Sequence, residues 1–228
     1  MSEVIALVLT VALAQSATEV PELRLEPFIE DEGHEVDAVE VVALSMRAGF
    51  AAIRVTQHID EGDEVERGAS IDCHYPGMKA HPKSGVTLLL WSFAENKVTK
   101  SFEVNRAATS RGQCTRQRDA KRALADAKAE MAVLGLDFSK RPQPVAHLIE
   151  SREEKVKEDG REDVRVTHFS HDTAIFTQLY DTVAGISNAS VFVEGTKLVI
   201  LQTSWTNVGK HFFNFYALTP VLELPGPR

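Results

Sequence analysis

Cysteine is scarce in this chain: there are two, Cys73 and Cys114, in 228 residues. They stand too far apart for a CxxC metal or redox motif. The spacings HExxH, GxSxG, SxxK, GxxxxGK[ST] and GxGxxG are also missing. Zinc-protease, hydrolase, P-loop and dinucleotide chemistry therefore have no motif to rest on. Positive charge is not in excess, with a net charge of −8 at pH 7 and a pI of about 5.5. That argues against a dedicated nucleic-acid binder, which needs a basic face to displace counterions from phosphate. The opening apolar run, Val4 to Ala14, has eleven residues, well short of the roughly 20 that span a bilayer.

What is present reads as a globular chain, 43% hydrophobic and 25% charged, with a mean hydropathy of −0.15. It is long enough for one substantial core. The run Val4 to Ala14, with small residues at Ala12, Ala14 and Ala17, predicts a signal peptide over 1–17. Met1-Ser2-Glu3 lacks the usual Lys or Arg. The expected product is a single secreted or periplasmic domain over 18–228. In an oxidising compartment Cys73 and Cys114 read as one disulfide, contributing about 3–4 kcal/mol by closing a long loop. Two buried thiols are the alternative.

The apolar pattern is mostly that of strands. Asp37 to Leu44 and Phe50 to His58 flank a turn at Ser45 to Gly49. Gly85 to Phe93 and Val98 to Val104 form the clearest hairpin, turning at Ala94 to Lys97. Ala120, Leu124, Ala127, Met131 and Leu134 then recur at helical spacing, predicting one Ala-rich amphipathic helix at about 115–134, stopped by Gly135. Glu150 to Arg165 is charged at twelve of sixteen positions and reads as a solvated helix or loop, so about 115–165 is expected to be helix and charged linker. Strands resume at Val164 to Phe169, Ala174 to Leu179, Val191 to Val193, Lys197 to Thr203 and His211 to Leu218. Leu198 to Leu201 reads as a central strand, and His211 to Leu218 as buried on both faces. The predicted fold is α+β, a mainly antiparallel β-sheet of about eight strands with one packed helix.

Ser45 to Ala52, Leu90 to Phe93 and Val98 to Phe102 together resemble the opening and closing hairpins of a β-propeller blade. A blade-like sheet followed by an Ala-rich helix ending in Gly135-Leu136 is similar in layout to uncharacterised predicted secreted bacterial proteins. The resemblance implies no activity. Blades recur at about 40–45 residues; no repeat at that period is visible here.

Two groups of residues bear on function. His168-Phe169-Ser170-His171-Asp172 collects metal-ligand types, and a metal-dependent hydrolase using His168, His171 and Asp172 is one alternative. On a strand, however, positions i and i+3 face opposite ways, so no metal and no cofactor is expected. Charge asymmetry is more informative. Glu19 to Asp72 holds fifteen acids and four bases, whereas Lys97 to Arg122 holds eight bases and two acids. Arg111, Arg116, Arg118 and Arg122 are the candidate binding residues, with Trp91, Trp205 and Tyr216 as possible aromatic contacts. The expected function is a non-enzymatic binding or envelope-associated protein whose partner is an anionic envelope component or small ligand. A purely structural exported domain is the other alternative.

Overall fold

A computed structural model describes residues 34–59, 84–105, 120–145, 149–158, 160–181, 184–208 and 211–224. The first four strands are β1 (His34–Ser45), β2 (Phe50–Ile59), β3 (Ser84–Ser92) and β4 (Lys97–Asn105). They form one antiparallel meander, ordered β1-β2-β3-β4. Its turns are closed by short-range bonds that their sequences dictate. The Ser45 hydroxyl accepts from Ala48 N at 3.1 Å, and that of Ser92 accepts from Glu95 N at 3.3 Å.

Alternation along β3 divides its residues between two cores. Leu89 and Trp91 face one cluster, Leu88 and Leu90 another. The second cluster is covered by helix α1 (Ala120–Val133). Ala123, Ala127 and Met131 are its buried residues, while Leu134, in the predicted stripe, is 37% exposed. The helix has ended by then, and Leu136 fills the core position instead. Gly135, with φ of +87°, makes this reversal, and a Cβ there would sit 3.3 Å from the Cβ of Ala48. Glycine is thus favoured by conformation, and a side chain there would also crowd Ala48.

The chain then runs back across the first sheet. Phe138 joins the helix-side cluster, and Arg141 and Arg54 both bond the Glu40 carboxylate. Burial pushes that carboxyl upward, but the Arg141 and Arg54 guanidiniums outweigh it and hold it below its ordinary value.

The charged segment is not a linker. Glu150 to Arg165 forms β5 (Glu150–Glu158) and the first half of β6 (Arg161–Ser170), and β7 (Thr173–Asp181) completes a three-stranded sheet. The charges are tolerated because β5 is an edge strand whose described side chains are nearly all exposed; burial constrains an edge least.

The remaining sheet comprises β8 (Ala184–Glu194), β9 (Lys197–Val208), β10 (His211–Leu218) and β11 (Leu222–Glu223), with β9 central. Successive β9 residues face opposite cores. Val199 and Leu201 join Trp91, Ile53, Phe192 and Leu218 against the first sheet. Leu198 and Ile200 join Phe176 of β7. The layers therefore run helix, first sheet, β8–β11 sheet, β5–β7 sheet. The fold is mainly antiparallel β with one packed helix. A hydrogen bond from Met46 N to the Glu194 carboxylate, 2.7 Å, links the β1–β2 turn to the β8–β9 turn.

Candidate functional site

His168 is the most unusual ionisable side chain described. Alternation on β6 places Val166, His168 and Ser170 on one buried face. Antiparallel register then sets Ser151 of β5 opposite His168 on one side and Phe176 of β7 on the other. The Ser151 hydroxyl lies 2.8 Å from His168 Nδ1. The imidazole stacks on the Phe176 ring, with centroids 4.2 Å apart. Nε2 and the Ser170 hydroxyl are buried without a hydrogen-bond partner among the described residues. Burial pushes the His168 pKa down to about 4, so the ring is neutral at neutral pH.

A serine bonded to a histidine is also the contact of a nucleophile with its base. Here the chemistry opposes that role. Taking the Ser151 proton would create an imidazolium in the surroundings that disfavour it, and a general base works best with a pKa near the operating pH. Ser151 and His168 form a neutral hydrogen-bonded pair that fixes the ring against Phe176. No sequence spacing points to Ser151, because its meeting with His168 depends on strand register.

The structure does not bring His168, His171 and Asp172 together. His171 and Asp172 occupy the β6–β7 turn, with φ of +49° and +63°, between the paired residues Ser170 and Thr173. Two consecutive positive φ values are those of a type I′ hairpin turn, which holds both side chains at the exposed tip. Asp172 lies 3.6 Å from Arg152, while His168 points into the protein. Among the described residues, no group of three or more His, Cys, Asp or Glu side chains could hold a metal ion.

Of the basic candidates, Arg122 is exposed on the first turn of α1. Arg111, Arg116 and Arg118 lie outside the described residues, as do Cys73, Cys114 and the segment 1–17. Lys97 pairs with Glu95 at 2.8 Å, and Lys100 with Glu130 of the helix. Trp91 and Tyr216 are 1% and 8% exposed, which makes them core residues instead of surface contacts; the Trp205 side chain is outside the description. Among the described residues no helix is long and apolar enough to cross a membrane.

Comparison with protein-family models, curated proteins and solved structures gave no match.

Proposed function

We propose that the chain is an exported, non-enzymatic binding protein, secreted or periplasmic, whose basic stretch from Lys97 to Arg122 meets an anionic component of the cell envelope. The observation that carries this reading is the packing of β4 against α1. It joins Lys100 of β4 to Glu130 of the helix, whose first turn carries the exposed Lys121 and Arg122. The ion pairs at Lys97 and Lys100 join side chains about half exposed or more. Such surface pairs are worth about 0–1 kcal/mol, so an incoming polyanion can replace their carboxylates at little cost. The apolar run Val4 to Ala14 supports export.

Dextran sulfate is a suitable polyanion probe. The full chain should bind it at low salt and release it as salt rises, because screening and counterion uptake weaken contacts of this kind. Changing Arg111, Arg116, Arg118 and Arg122 together to Gln should abolish the binding and leave the circular dichroism spectrum unchanged. Equal binding by the wild type and the fourfold variant would overturn the proposal, as would a wild type that ignores the polymer at low salt.

A further inference from the structure

Strand β5 is the edge of its sheet, ordered β5-β6-β7, and seven of its nine residues are charged. Four of those charges are answered within the molecule. Arg152 meets Glu150 and Asp172, Lys155 meets Glu162, and Glu154 meets Arg165. Glu153 and Lys157 make no ion pair among the described residues: Lys157 stands opposite Glu162 across the β5–β6 pair, but Lys155 holds that carboxylate. Glu153 and Lys157 share one face of the strand but stand four residues apart, about 13 Å at strand rise, too far to pair with each other.

We propose that β5 is a homodimer interface, pairing antiparallel with β5 of a second copy about a two-fold axis at Lys155. This register sets Glu153 of each copy opposite Lys157 of the other, so both unanswered charges are satisfied, twice per dimer. It also sets Arg152 opposite Glu158, on the other face, twice. The one like-charged meeting is Lys155 with itself, and each Lys155 is already held by its own Glu162 at 3.1 Å.

Neighbouring registers do worse on the same sequence. Centring on Glu154 sets Glu153 opposite Lys155 but puts Glu150 opposite Glu158 and Glu154 opposite itself. Centring on Val156 puts Lys155 opposite Lys157 and Glu154 opposite Glu158. Charged edges ordinarily repel strands; this pattern favours the alignment on Lys155 over those on either side of it. The described side chains on both faces of β5 are exposed, apart from half-buried Val156, so no layer covers the strand and a second copy displaces nothing. The resulting contact uses the same patch on both copies, as a two-fold interface requires, and extends three strands to six.

Sedimentation velocity on the full chain tests the proposal by charge exchange. The wild type should sediment as a dimer at micromolar concentrations, and less so at high salt. Glu153→Lys or Lys157→Glu alone should weaken association by about tenfold or more, since each places like charges opposite one another at two points. The double variant Glu153→Lys/Lys157→Glu restores opposite charges across the two-fold and should recover the dimer. A monomeric wild type would overturn the interface. Single variants that stay dimeric, or a double variant that does not recover, would overturn the register.

Discussion

His168 illustrates how one residue can couple fold and solvent. In the unfolded chain its imidazole titrates near the ordinary histidine value of about 6.5. In the folded protein burial holds it down to about 4. The unfolded state therefore binds more protons than the folded state throughout that interval. Stability contributed by neutral His168 is complete above the unfolded value, declines as pH falls through the window, and is gone below the folded value. The size is about 3 kcal/mol, because each tenfold change in proton affinity is worth roughly 1.4 kcal/mol. His168→Phe keeps an aromatic ring beside Phe176 and removes the titration. Urea unfolding at pH 7 and pH 3.5 should show the wild type losing about 3 kcal/mol more than the variant between the two conditions. Equal losses would mean that His168 is not the group responsible. Phe176 belongs to the cluster that joins β7 to β9, so a proton on His168 loosens contacts between two sheets.

At the scale of elements, the helix gives a discriminating pair of substitutions. Met131 is fully buried against Leu88, Leu90 and Leu136, whereas Leu134 is 37% exposed beyond the helix end. Met131→Ala should cost about 2–5 kcal/mol, a cavity-forming truncation, and Leu134→Ala about 0.5 kcal/mol or less. Chemical denaturation distinguishes the two, and a larger effect at Leu134 would mean that the helix presents a different face. Periodicity in the sequence located this helix and the β3–β4 hairpin because each has one side in a core, which repeats the apolar residues at the element's own period. It also located the helix end at Gly135, just past Val133, but placed Leu134 in the core, where the structure has Leu136. Strand β5 was illegible for the opposite reason: with neither face buried, it carries no apolar alternation, and its pairing to β6 makes it a strand. Of β8 only Val191 to Val193 read as a strand, because Gly185, Asn188 and Ser190 interrupt the apolar pattern before it. The histidine motif was visible in the sequence, but its dispersal by a type I′ turn and the meeting of His168 with Ser151 are consequences of register.

Considered whole, the molecule depends on β9. Leu198 and Ile200 supply the cluster shared with β7, while Val199 and Leu201 supply the cluster shared with the first sheet. Ile200 and Leu201 are 1% and 6% exposed, adjacent in sequence, and belong to different interfaces. Ile200→Ala and Leu201→Ala should each cost about 2–5 kcal/mol, lowering the melting temperature by about 2–4 °C for each kcal/mol in a chain of this size. Independent layers would respond differently to the two substitutions. Ile200→Ala would free the β5–β7 sheet to melt early, and Leu201→Ala would leave that sheet's melting unchanged. A shared strand couples them, because β9 cannot lose its place against one sheet and keep its pairing to β8 and β10 in the other core. Calorimetry should therefore show a single transition in both variants, shifted to a similar extent, with calorimetric and van't Hoff enthalpies in agreement. A separate low-temperature transition in Ile200→Ala alone would mean that the β5–β7 sheet folds as its own unit and that the coupling through β9 is wrong.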